Sequence, residues 1–269
     1  MLTGESEGYY ADYVGSAAER LARALSEGFV YQGEPSAHRN GEPRGTPSAD
    51  LPPTAFVLFL QNHDQIGNRA LGERLTVLAD PHALEAAIAL QLLCPQIPLV
   101  FMGEEDASPT PFRFFTDHHG ELAEAVREGR RREFAGFAAF ADPQRRTEIP
   151  DPNAPSTFER SRPDADPDRG LARRARYRRL LAIRSEMIVP RLHGTRAIGA
   201  KAIGELAVVA RWRMGDGAIL TIAANLGPDR CRIQRPSGDV IFEVPEDALS
   251  NGGQLSGRST VAFLETARE

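Results

Sequence analysis

The sequence predicts an α/β fold in two parts: a parallel-sheet region followed by a small antiparallel β-sandwich domain. Three observations carry this. Two unbroken apolar runs, AFVLFL at 55–60 and PLVFM at 98–102, flank the apolar helical stretch PHALEAAIALQLLC. Strand, helix, strand with fully apolar strands is the signature of a parallel sheet covered on both faces. After Thr195 the period shortens: LAVVARWRM (206–214) and AILTIAANL (218–226) lie on either side of Gly215-Asp216-Gly217, which reads as a hairpin turn. The chain has 269 residues, 41% of them hydrophobic, which is enough apolar material for one large domain or two ordinary ones.

The elements follow in order. Residues 16–27, SAAERLARALSE, predict a helix with Ser16 as N-cap and Glu19 completing a capping box. Leu21 and Leu25 share its apolar face, and Gly28 stops it. Residues 32–53 are rich in Pro, Gly and polar residues, and a loop of that length is either functional or disordered. Asp80 followed by Pro81 opens the helix between the two apolar runs. Residues 120–140 predict a charged amphipathic helix ending before Asp142-Pro143. Residues 142–170 read as an ordered connecting segment because they hold Ile149 and Phe158. A last helix is expected over about 171–187, with Leu180, Leu181 and Ile183 on its apolar side. Further strands near 239–244 and 258–264 complete the β domain, which places a boundary near residue 194.

Composition excludes several function classes. Net charge is −5 and charged residues make up 26%, so there is no bias toward nucleic acid or an anionic membrane. Arg130-Arg131-Arg132 and the arginines from Arg173 to Arg179 are expected to be solvated helix faces. Cys94 and Cys231 lie far apart in apolar contexts, which favours buried free thiols and a reducing cytosol. No signal peptide is visible at MLTGESEGYYADY, and no apolar stretch nears the roughly 20 residues that span a bilayer. The expected setting is cytoplasmic, without a membrane or nucleic-acid partner. No Cys/His spacing suggests zinc, and Asp117-His118-His119 is not expected to bind a metal.

Both apolar runs end in polar clusters, Gln61-Asn62-His63-Asp64 and Gly103-Glu104-Glu105-Asp106. In parallel sheets ligands bind beyond the carboxyl ends of the strands, so these ends are the candidate site. Asn62 and Gln65 can alternatively be turn formers that satisfy backbone groups. Arg69, Glu73 and Arg74 read either as a surface ion network or as part of a binding subsite. Glu104 and Glu105 favour structural pairing with an arginine for at least one of them. Tyr31, Phe114 and Phe115 offer aromatic faces, although most aromatics are core.

FVLFLQNHDQIGNRALGERL (56–75) followed by PLVFMGEE (98–105) resembles the maltooligosyltrehalose trehalohydrolases of the α-amylase superfamily. GYYADY (8–13), EGFVYQGEPS (27–36), FFTDHHGELAEAVREGRRREF (114–134) and IPDPNAPSTFERSR (149–162) extend the resemblance over most of the chain. Pro163-Asp164-Ala165 departs from it where the family often has Leu-Asp-Trp. The resemblance implies a glycoside hydrolase that cleaves the α-1,4 bond beside the trehalose end of maltooligosyl trehalose, without a cofactor. It implies the C-terminal part of a (β/α)8 barrel, about strands seven and eight, over 1–194 with the connecting segment 142–170. The β domain, 195–269, resembles the family's C-terminal domain more loosely.

By this resemblance Asp64 is the third of three carboxylates, the one that holds the cleaved sugar toward oxocarbenium geometry. His63 binds that sugar, and Asn62, Gln65, Arg69, Glu73 and Arg74 are the further substrate-binding candidates. The family's nucleophile and acid/base have no counterpart in the chain, so it is expected to be inactive alone. The alternative is a non-catalytic glucan-binding or assembly fragment that works with a separate chain supplying the missing strands. Partners are then maltooligosyl trehalose or another α-glucan, together with that chain. A truncated reading frame with no role of its own is the third reading.

Overall fold

A computed structural model describes residues 1–266, apart from the side chains of Gly8 and Tyr9. The helices are α1 (Ala17–Glu27), α2 (His63–Gly67), α3 (Leu75–Leu78), α4 (Pro81–Leu93), α5 (Gly120–Glu133), α6 (Pro143–Arg146), α7 (Pro155–Glu159) and α8 (Gly170–Ile183). The strands are β1 (Val57–Leu58), β2 (Ile97–Pro98), β3 (Arg196–Gly204), β4 (Ala207–Arg213), β5 (Ile219–Asn225), β6 (Cys231–Arg232), β7 (Asp239–Val244), β8 (Gln254–Leu255) and β9 (Ser259–Glu265). They form two compact units. The first gathers Met1–Leu60, Ala79–Leu99 and Arg176–Glu269; the second gathers Gln61–Leu78 and Val100–Ala175.

In the first unit an antiparallel sheet runs β3-β4-β5-β9-β7, and β6 pairs with β8. Its inner cluster joins Ala223, Val261 and Phe263 to Ile233, Leu249 and Leu255. The β4–β5 hairpin turns at Gly215-Asp216-Gly217 as the sequence predicts. Met214 N–H donates to Ala218 O at 2.8 Å, and the Asp216 carboxylate accepts from Ala218 N–H at 3.0 Å. Strand β3 lies outside the predicted set, because Ala197, Gly199, Ala200, Ala202 and Gly204 make up most of it and both residue types are depleted in strands.

Helices α1 and α4 also pack against this sheet, α1 on β3 and β4, α4 on β5 and β9. Helix α4 starts as predicted: Asp80 accepts from His82 N–H and Ala83 N–H, and Pro81 occupies the first helical position. It is buried on nearly every side, so its one buried polar residue must find partners. Gln91 does so by donating to Leu58 O at 3.3 Å and Leu99 O at 2.7 Å, which ties the helix to the ends of β1 and β2. At the far end Arg184 donates to the carbonyls of Leu92 (3.0 Å), Cys94 and Gln96 (2.8 Å), closing the C-terminus of α4. Cys94 is a buried free thiol, its pKa raised by that burial, and Cys231 is free and half-buried.

Several expectations are corrected. The two apolar runs pair in parallel over only two residues each, Val57 with Ile97 and Leu58 with Pro98. They are not covered on both faces: Val57 is 55% exposed and Ile97 41%. Among the described residues no third strand flanks the pair. Ser16 adopts φ 48° and ψ 33°, and its side chain makes no cap bond. The left-handed backbone turns the hydroxyl away from the helix, and no capping box forms. Gly28, by contrast, ends α1 as expected: φ is +94°, and a Cβ there would stand 2.1 Å from the Phe56 ring.

Residues 120–140 are not one helix: α5 ends at Glu133 and two 3-10 turns follow. The last helix gives way to a π turn over Arg184–Ile188. Leu180 is buried there but Leu181 is 44% exposed, since consecutive residues on a helix face different directions. Of residues 142–170, Ile149 is buried and Phe158 half exposed.

The 32–53 loop is ordered rather than free. Gly33 N–H donates to Arg44 O, Arg44 N–H to Glu34 O and Ser36 N–H to Glu42 O, which closes it on itself. The buried Asp12 anchors it, accepting from Ser36 Oγ, His38 N–H and Arg44 Nη1. No helix among the described residues is long and apolar enough to cross a membrane.

Candidate active site

The candidates from Asn62 to Arg74 all lie in the second unit. Gln61 is buried and its Oε1 accepts from Leu75 N–H at 3.0 Å, closing the segment 61–75 into a compact loop. Asn62 follows in extended conformation and its Oδ1 accepts from Gln65 N–H at 2.9 Å. It is therefore the N-cap of α2, the turn-forming role left open for it in the sequence. Ile66 and Gly67 are buried on the inner side of this one-turn helix. His63, Asp64 and Gln65 consequently face outward, and all three are exposed.

The Asp64 carboxylate is held from one side. Asn68 Nδ2 donates to Asp64 Oδ1 at 2.8 Å, while Asn68 N–H donates to Asp64 O at 2.9 Å. The i, i+4 spacing that brings these two side chains together was readable from the sequence, and Asn68 is a site residue that motif reading passed over. One carboxylate oxygen is thus fixed while the group remains accessible, an arrangement able to accept hydroxyl donors from a polyol.

Arg69 and Glu73 form an ion pair at 3.3 Å, half-buried on the same loop. Gly72 sits at φ +74°, its carbonyl accepting from Phe112 N–H at 2.8 Å, and a Cβ would stand 2.5 Å from Phe112 O. Arg74 is the correction within the set. It has no exposed surface, and its guanidinium donates to Thr110 O (2.6 Å) and Met102 O (2.8 Å) and lies 5.2 Å from the Phe101 ring centre. Burial lowers its pKa, and the nearby Glu104 and Glu105 carboxylates oppose that shift. Arg74 therefore braces the loops that carry Met102 and Thr110. Glu104 is itself buried, and Glu105 accepts from Gly103 N–H at 3.0 Å.

The aromatic candidates are engaged in packing. Tyr31 donates its hydroxyl to Asp12 O at 3.1 Å within the first unit. Phe115 lies edge-on between Phe112 and Phe158, and Phe114 lies under the Arg130 guanidinium. Arg130 is buried, contrary to its expected place on a solvated face, because Phe114 and Phe134 enclose it. Asp117 and His119 form an exposed pair at 3.8 Å. Among the described residues no group of three or more His, Cys, Asp or Glu side chains is arranged to hold a metal ion.

Comparison with known proteins places this geometry. A family described as a domain of unknown function, DUF3459, matches residues 195–263. The solved structure of a candidate alpha amylase from Salmonella typhimurium superposes with a TM-score of 0.87 at 41% identity, covering 98% of this chain and 44% of that one. The chain is thus similar to a protein of the α-amylase class over nearly its whole length. More particularly, it is a homologue of the malto-oligosyltrehalose trehalohydrolases. It is 48% identical to the Deinococcus radiodurans protein of that name over 189 residues, 69% of this chain and 31% of the relative. It is 34% identical to the Mycobacterium tuberculosis protein over 276 residues, 99% of this chain and 45% of the relative. The chain thus spans less than half the length of these curated relatives.

Proposed function

We propose that this chain supplies the C-terminal part, about strands seven and eight, of a (β/α)8 barrel in a glycoside hydrolase that releases trehalose from maltooligosyl trehalose. Residues 1–194 form the barrel portion, with 142–170 as its connecting segment, and 195–269 the C-terminal β domain. The observation that carries the reading is an exposed carboxylate, Asp64, fixed by Asn68 on a capped one-turn helix, in a chain homologous to trehalohydrolases. In this reading Asp64 accepts hydrogen bonds from hydroxyls of the sugar being cleaved and favours its flattening toward the oxocarbenium-like transition state. His63, exposed beside it, contacts the same ring; Gln65 and the Arg69–Glu73 pair line a neighbouring subsite. Asn62 acts through its cap.

Retaining hydrolysis needs a nucleophile and an acid/base about 5–5.5 Å apart across the bond. We assign both to polypeptide outside these 269 residues, so the chain alone does not turn over. Its free cysteines agree with a reducing cytoplasm.

The test is trehalose release from maltotriosyl trehalose. It is measured for the chain alone and for the chain mixed with the portion of the Deinococcus radiodurans relative that it does not match. The expected result is no release alone, release on mixing, and a fall of about 10²–10³-fold for Asp64→Asn. Turnover by the chain alone that survives Asp64→Asn would overturn the reading. Sugar binding without release in any mixture would favour a non-catalytic glucan-binding role.

A further inference from the structure

We propose that Arg130 is a positioning residue for the candidate site, holding the backbone that carries Asp64 and Arg69. Three consecutive arginines end α5, and they are chemically alike in sequence. Arg132 is exposed, and Arg131 reaches Glu128 on its own helix at 3.0 Å. Arg130 alone of the three is buried, and it turns toward the site loop. Its Nη2 donates to Gly67 O at 3.0 Å and to Arg69 O at 3.1 Å, while Nη1 reaches Glu133 at 3.2 Å. The guanidinium carbon lies 4.9 Å from the ring centre of Phe114 and 4.9 Å from that of Phe134.

The two accepting carbonyls decide what this does. Gly67 is the last residue of α2, and Arg69 lies two residues beyond. The last carbonyls of any helix lack partners within it, and a cation at that end complements the peptide dipoles. A helix of five residues has almost no cooperativity of its own, so its direction is set by what holds its ends. Asn62 holds the first end and Arg130 the second. His63 and Asp64 sit between these two fixed points, and the Asp64–Asn68 bond spans the end that Arg130 grips.

Lysine cannot reproduce the arrangement. Nη2 serves two carbonyls while Nη1, fixed in the same plane, serves Glu133, and the aromatic enclosure suits a planar, weakly hydrated cation. The positioning role rests on the reading of Asp64 and Arg69 as sugar-facing, but the hold on α2 can be measured without a ligand.

The experiment compares the wild-type chain with Arg130→Met, Arg130→Lys and the control Arg131→Met. It uses the NMR signals of the Asn68 side-chain amide and the His63 ring, then titration with maltotriosyl trehalose. In Arg130→Met we expect both signals to move away from wild type and sugar affinity to fall about tenfold or more. Arg131→Met should leave signals and affinity unchanged, and Arg130→Lys should restore neither fully. A folded Arg130→Met chain with wild-type Asn68 and His63 signals would overturn the proposal. If Arg130→Met does not fold, Arg130→Lys decides by the same two signals: unmoved signals overturn the proposal, and shifted ones support it. Should the wild-type chain bind no sugar, the sugar-facing reading of Asp64 and Arg69 fails, and the proposal fails with it as a statement about the site. The ligand-free signals then report only whether Arg130 holds α2.

Discussion

Gly72 shows how a single backbone position supports the site. Its φ of +74° already disfavours any side chain, and the space for a Cβ is taken by the Phe112 carbonyl. Gly72→Ala should therefore destabilise the chain by about 2–3 kcal/mol, read from urea unfolding. A loss below about 0.5 kcal/mol would mean that the loop rearranges cheaply, and the close approach would lose its meaning. At this scale the sequence was uneven as a guide. Asp80-Pro81 told the truth because a cap followed by proline is entirely local chemistry. Ser16-x-x-Glu19 has the same local logic and failed, since a left-handed backbone, invisible in the residue types, disarms the hydroxyl. Asp64 is proposed from its motif. Arg130 was not legible in the sequence, because only the roll of α5 against Phe114 and Phe134 separates it from Arg131 and Arg132.

Elements behave according to what lies beside them. The apolar runs at 55–60 and 98–102 announced a parallel pair, but strand length depends on neighbours that the runs do not encode, and pairing stops after two residues. The 32–53 loop reads as polar punctuation in sequence, yet it becomes an ordered element through one carboxylate. Ser36 first, then His38 and Arg44, hold the Asp12 pKa down to about 2. That is below the ordinary value of about 3.9 for an unfolded chain. Its contribution to stability is thus fully present above about pH 4 and is lost as pH falls toward 2. Asp12→Asn should have a lower urea midpoint than wild type at pH 5–7, and the gap should narrow between pH 4 and pH 2. A gap that stays constant through that window would mean that the anchor does not depend on the charge of Asp12.

The whole molecule carries apolar surface that its own described residues leave open. Val57, Ile97 and Leu99 are exposed on and beside a two-stranded sheet whose outer edges are unpaired among those residues. Open edges and contiguous apolar side chains promote association. The chain on its own should be oligomeric by light scattering at tens of micromolar, and Val57→Lys should shift it toward smaller species. A monodisperse wild-type monomer that melts cooperatively would refute this. The division into compact units was the least legible feature at this scale. It joins three separate segments in the first unit, and no local pattern in the sequence marks α1 and α4 as partners of strands so distant along the chain.

The position of β9 carries this further, into the order of assembly. It lies inside the sheet, between β5 and β7, and Thr260 on it donates its hydroxyl to Ala86 O in the middle of α4 at 2.7 Å. The strand that completes the hydrogen-bond ladder and gives α4 its floor is therefore the latest of all the elements in chain order. During synthesis α4 must wait for it as an unfinished surface. Contacts this distant in sequence also make folding slow and nearly all-or-none for the first unit. A chain shortened by its last dozen residues would lose much more than one strand.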